Sequence, residues 1–147
     1  AIALAWLMVV IGSDYVQSQT LTATALFAGL AYAPLVANVL FVNQIPDRKA
    51  DASVGKNTLI VRHGHAIAPM GSIVLCAFGC TALLTGVVLR ALPAMSLLAL
   101  LAMLPATTAL NALLAGPADP ARLKTAIPLT ILSCLLFGAL LTTALLI

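Results

Sequence analysis

Between Asn43 and Gly64 the chain reads NQIPDRKADASVGKNTLIVRHG, and within it Asn43, Asp47 and Asp51 recur at every fourth position, with Lys56 and Arg62 downstream. Residues four apart on a helix share a face, with Cβ atoms roughly 5–6 Å apart. Two carboxylates so placed repel by about 0.2–0.5 kcal/mol on an isolated helix unless a cation sits between them. Hard divalent cations such as Mg²⁺ take carboxylate oxygens and keep water or phosphate oxygens as further ligands. Lysine and arginine just beyond are suitable partners for such a phosphate. The pattern is that of a Mg²⁺–diphosphate site.

Simpler readings exist for parts of this stretch. A segment leaving a membrane is polar because water surrounds it, which accounts for Arg48 and Lys49 taken singly. Spacing, acid-then-base order and position at a helix end must all coincide to produce Asn43, Asp47, Asp51 and Lys56. Gly55-Lys56 is not a phosphate-binding P-loop, because position 50 is alanine and position 57 is asparagine. His63 and His65 alone leave a zinc site half built. Cys76, Cys80 and Cys134 all lie inside apolar runs and read as small buried hydrophobes. Their odd number argues against a disulfide framework.

The elements that must position these residues are membrane spans. The sequence is 63% hydrophobic and 7% charged, far from the balance of a soluble domain. None of its charges falls in the middle of a long apolar run, as expected where a mid-bilayer charge costs about 2.5–3.5 kcal/mol. The expected fold is an all-α integral membrane bundle of about five transmembrane helices forming one domain over 1–147. Residues 1–12 read as a truncated first span, with Ala1 as the cut end of a helix begun earlier. A polar turn follows at 13–19. Full spans are expected at 20–42, 66–89, 94–115 and 120–147, with kinks at Pro34 and Pro105. Asp119-Pro120 has the form of an N-cap followed by proline at the first helical position. Asn38, one turn before the motif, is either a site residue on a path towards Asp47 or an interhelical tie.

Residues 43–65 read as a polar motif loop in which Pro46 removes a backbone hydrogen bond and kinks the helix, leaving Asn43 at the end of the span and Asp47 and Asp51 on the next turns. This loop and the 116–124 connection carry Arg48, Lys49, Lys56, Arg62, Arg122 and Lys124, whereas the opposite turns carry only Arg90. That asymmetry places the motif loop in the cytoplasm. The net charge of +3 is explained by this orientation signal and calls for no nucleic-acid partner.

The run Asn43-x-x-x-Asp47-x-x-x-Asp51, followed by Gly55-Lys56-x-Thr58-Leu59-x-Val61-Arg62-x-Gly64, resembles the second aspartate-rich motif of the UbiA superfamily of intramembrane prenyltransferases. It is most similar to the MenA branch, which prenylates 1,4-dihydroxy-2-naphthoate on the way to menaquinone. Gly12-x-x-Tyr15-x-Gln17 resembles a segment of that branch as well. The 4-hydroxybenzoate branch usually has a Tyr-Ala-Met-x-Asp-like second motif, where this chain has Asn43-Gln44-Ile45-Pro46-Asp47. His63 stands where leucine is expected before Gly64. The resemblance implies helices five to nine of a nine-helix fold in a bacterial or archaeal cell membrane. It implies Mg²⁺-dependent transfer of a polyprenyl group from its diphosphate to an aromatic acceptor. Asp47 and Asp51 would ligate Mg²⁺, Asn43 would support that shell, and Lys56 and Arg62 would contact diphosphate.

The family's first aspartate-rich motif has no counterpart among the four aspartates here. The expectation is therefore half a site, completed by N-terminal helices of the same protein, and a fragment inactive alone. The competing reading from the residues is a non-enzymatic membrane protein, a transporter half or assembly subunit, whose acidic segment binds a cation or partner.

Overall fold

The computed structural model describes residues 2–147, and the expectation concerning Ala1 lies outside them. The chain folds as helices throughout: α1 (Ile2–Ser18), α2 (Ala23–Ser53), the short α3 (Leu59–His63), a 3₁₀ turn (His65–Ile67), α4 (Ala68–Val88), a 3₁₀ run (Ala94–Ala102), α5 (Met103–Ala115) and α6 (Pro120–Leu146). Four stretches, Ala23–Ser53, His65–Val88, Ala94–Ala115 and Pro120–Leu146, are long and apolar enough to cross a membrane; α1 is shorter. Large apolar side chains such as Leu4, Met70, Val74, Leu104 and Leu135 point outward, as a lipid-facing surface requires.

The expected turn at 13–19 is helical as far as Ser18. Its polar side chains bond back along their own helix, Gln17 to the Ser13 carbonyl and Ser18 to the Asp14 carbonyl, so they do not terminate it. The reversal comes at Gln19, whose φ is 55°. Asp14 Oδ2 then accepts from the Thr22 hydroxyl at 2.9 Å, and Thr22 Oγ1 caps α2 by accepting from the Ala25 N–H at 3.1 Å.

The larger correction concerns residues 43–53, which are not a loop. They are the last turns of α2, a helix that continues through both Pro34 and Pro46. Pro46 lacks the N–H that would reach the Val42 carbonyl. Its neighbours Val42 and Ile45 are each only 1% exposed, and this packing carries the helix across the gap. The non-helical part of the expected loop shrinks to Val54–Thr58 and the turn at Gly64.

The third span also departs from expectation. Its first half is 3₁₀, and the α-helix begins at Met103, which places Pro105 in a first turn where a missing N–H matters least. The carbonyl of Ala102 at this junction accepts a 2.7 Å hydrogen bond from the Ser133 hydroxyl of α6. Asp119 caps α6 as expected, accepting from the Ala121 N–H at 2.9 Å, with Pro120 next.

Two clusters form the interior. One, around Ala31, Leu35, Leu83, Phe137 and Leu141, joins α2, α4 and α6. The other, around Phe41, Ile45, Ile60, Ala112 and Leu123, lies beneath the motif. Helix α4 approaches α2 through Gly71, Gly79 and Gly86, which meet Phe41, Ala31 with Leu35, and Phe27. A Cβ at residue 79 would lie 2.7 Å from the Ala31 carbonyl oxygen, which cannot move without bending α2. Gly79→Ala is therefore expected to lower stability by about 1–3 kcal/mol, read as reduced thermal stability of the purified protein in detergent. Unchanged stability would mean that α2 and α4 do not cross at this contact.

Candidate functional site

The helical course of α2 sets the stripe. At 3.6 residues per turn, Asn43, Asp47 and Asp51 each advance by only about 40°, so all three lie along one side of the projecting end of α2. Asp47 is exposed, Asn43 is half-buried, and Asp51 is 8% exposed. Asn38 is nine residues from Asp47, about half-way round the helix. It does not lead to the acids. Its Nδ2 donates to Cys76 Sγ on α4 at 3.6 Å, the interhelical tie of the two readings.

Helix α2 ends in a turn that folds Lys56 back onto the stripe. Gly55 adopts φ = 74°, the left-handed conformation that closes a helix with two reverse hydrogen bonds. The Gly55 N–H donates to the Ala52 carbonyl at 3.2 Å, and the Lys56 N–H donates to the Asp51 carbonyl at 2.9 Å. This brings Lys56 Nζ to 2.9 Å from Asp51 Oδ1, the one ion pair among the described residues. The lysine side chain remains 64% exposed while that of the aspartate is 12% exposed. The ammonium thus balances a carboxylate largely withdrawn from water. Its pKa is raised, first by the hydrogen bond it donates to Asp51, then by that carboxylate's charge, with a weaker attraction from Asp47.

Beyond the turn, Thr58 caps α3 by accepting from the Val61 N–H at 3.2 Å. Ile60, fully buried, seats α3 on the cluster with Phe41 and Ile45. Arg48 Nε donates to the Ile60 carbonyl at 3.0 Å and so fastens α3 to α2. Arg62 stands exposed on α3, with no ion pair to either acid. The structure therefore joins Asp51 and Lys56, sets Asp47 and Asn43 on the same stripe, and leaves Arg62 apart. The fastening by Arg48 has no local signal in the sequence, because its partner is a backbone carbonyl twelve residues away. The Lys56–Asp51 pair did have one, in glycine placed just past the helix end.

The acids fit a hard divalent cation in donor type and spacing: two carboxylates one turn apart, with an amide beside them. Among the described residues Asp47 has no ion-pair or hydrogen-bond partner, and Asp51 pairs with Lys56 through Oδ1. Among the described residues no group of three or more His, Cys, Asp or Glu gathers, so the protein would supply only part of a coordination shell here. His63 is exposed, and the cysteines lie within the spans.

The UbiA prenyltransferase family matches this sequence over residues 1–127. The chain belongs to that family. A curated relative, 1,4-dihydroxy-2-naphthoate octaprenyltransferase of Escherichia coli (strain K12), is 39% identical over 79 residues, covering 49% of this chain. The match spans 25% of that relative's length. No solved structure matches the chain significantly. Family membership and the four apolar spans together make this UbiA member an integral membrane protein.

A raised lysine pKa means that the ion pair is fully formed below the ordinary lysine value of 10.5 and is lost as pH climbs through the higher value of Lys56. Titration of Lys56 by ¹³Cε NMR is expected to place it above 10.5 in the native protein, and Asp51→Asn to bring it back down. An unchanged midpoint in Asp51→Asn would mean that the pair does not persist in solution.

Proposed function

We propose that this UbiA family chain carries one of two acid clusters of a Mg²⁺-dependent prenyltransferase that moves a polyprenyl group from its diphosphate to an aromatic acceptor, 1,4-dihydroxy-2-naphthoate. The supporting observation is the stripe of Asn43, Asp47 and Asp51 at the end of a membrane-crossing helix, with Lys56 folded against it. The acceptor rests on the named relative. Asp47 and Asp51, with Asn43 alongside, would hold Mg²⁺, which would neutralise the charge that grows on the departing diphosphate.

The protein side of the chemistry follows from the geometry. Lys56 supplies the positive charge beside Asp51, with its ammonium 2.9 Å from the carboxylate. Its long, exposed stem would let the ammonium reach a phosphate oxygen beside the carboxylate. Arg62, on a helix seated by Ile60, adds a second exposed cation for the same anion. The allylic C–O bond breaks with its electron pair going to diphosphate. A ring carbon of the acceptor then supplies the pair for the new C–C bond, and the ring loses a proton. The excess of Lys and Arg in the connections on this side supports a site on the cytoplasmic face of a bacterial or archaeal cell membrane, where Mg²⁺ and diphosphate are soluble. Two acids make half of the shell that the resemblance calls for, so helices N-terminal to this stretch in the same protein supply the other cluster.

In the full-length protein, Asp47→Asn and Asp51→Asn are each expected to lower Mg²⁺-dependent transfer to 1,4-dihydroxy-2-naphthoate by about 10²-fold or more. Residues 1–147 alone are expected to show none. Undiminished turnover in Asp47→Asn would remove that residue from the mechanism, and turnover by 1–147 alone would remove the second cluster.

A further inference from the structure

On the other side of α2 from the acids lies a groove of about 680 Å³, walled by the end of α2, the 3₁₀ turn at His65 and the start of α6. Ile45 and Lys49 on its wall point about half-way round the helix from Asp47. The groove gathers Arg48, Lys49, His65 and Lys124, and no carboxylate lines it. Asp119, the nearest acid in sequence to its α6 wall, has its side chain turned to the Ala121 N–H. Arg48 is held by Nε on the Ile60 carbonyl, which leaves the terminal amino groups of its guanidinium as free donors on a fixed arm. Below these cations the wall is apolar: Leu123 and Ile127 sit one turn apart on α6 and lead down along a membrane-crossing helix.

We propose that this groove binds an anionic phospholipid, with its phosphate among Arg48, Lys49 and Lys124 and an acyl chain along Leu123 and Ile127. Three features select that occupant. Cations from α2 and α6 converge without a counter-acid, so the groove is complementary to negative charge. The apolar lower wall, Leu123 and Ile127, offers nothing to a soluble phosphate and belongs to a helix long and apolar enough to cross a membrane. Ile45 and Lys49 on its wall also point away from Asp47, so the groove opens on a different side of α2 from that acid. An occupant bridging α2 and α6 would brace the end of the bundle from which the acids project.

The test uses the purified full-length protein in mixed micelles, with bound lipid counted by native mass spectrometry. The wild type is expected to retain palmitoyl-oleoyl phosphatidylglycerol about tenfold over palmitoyl-oleoyl phosphatidylcholine. Lys49→Gln and Lys124→Gln, both on exposed side chains without hydrogen-bond partners, are each expected to reduce that preference on the order of fivefold. The double variant should approach parity with unchanged helical content by circular dichroism. Arg90→Gln, at the opposite end of the bundle, should leave the preference intact. Parity in the wild type, or equal preference in wild type and double variant, overturns the proposal, as does an equal loss in Arg90→Gln. Displacement of phosphatidylglycerol by millimolar inorganic phosphate would identify a soluble anion as the occupant and likewise overturn it.

Discussion

Helix α2 is longer than the hydrocarbon it crosses. Its 31 residues run about 46 Å at 1.5 Å each, against a bilayer core of roughly 30 Å. The backbone must stay helical through the core, because lipid offers no partner for a free N–H or carbonyl. The surplus emerges as about three further turns, still rigid because Val42, Ile45 and Ile60 clamp their inner side. Everything polar in the candidate site depends on that projection. A flexible loop could carry the same residues, but it would not hold two carboxylates in one line at the membrane surface.

The end of that helix then solves an electrostatic problem. Asp51 is drawn into the turn that terminates α2, where a bare carboxylate would be unfavourable. The left-handed glycine at position 55 directs the chain back so that Lys56 supplies the missing charge. One backbone motif thereby caps the helix, buries the acid and delivers its counter-ion. Arg48 and Ile60 do the corresponding work for α3, one by a hydrogen bond and the other by burial. Asp47 thus lies on one side of α2, while Ile45 and Lys49 on the other side wall a groove that also gathers Arg48 and Lys124.

The polar atoms inside the bundle follow the rule of satisfaction with a few exceptions. Ser133 donates to the Ala102 carbonyl where the third span changes from 3₁₀ to α, and Asn38 reaches Cys76. Asn38 Oδ1, Ser72 and Ser96 have no protein partner. Asn38 and Ser72 border a cavity of about 70 Å³ between α2, α4, α5 and α6, which has room for water.

Hydropathy and charge placement alone determined the class of this protein. A sequence so poor in charge can bury its apolar surface only in lipid, and the four spans and the Asp119-Pro120 helix start follow from local preference. The four-residue period of Asn43, Asp47 and Asp51 was equally legible, since a period needs only the chain's own geometry. The course of residues 43–53 was decided by tertiary packing: Pro46 argues locally for a break, and burial of Val42 and Ile45 against distant helices outweighs it. The same holds for Arg48 on the Ile60 carbonyl, for Asn38 turning to Cys76, and for the groove joining Arg48 to Lys124. Each depends on contacts between residues far apart in the chain, and no local spacing encodes how separate helices come to lie against one another.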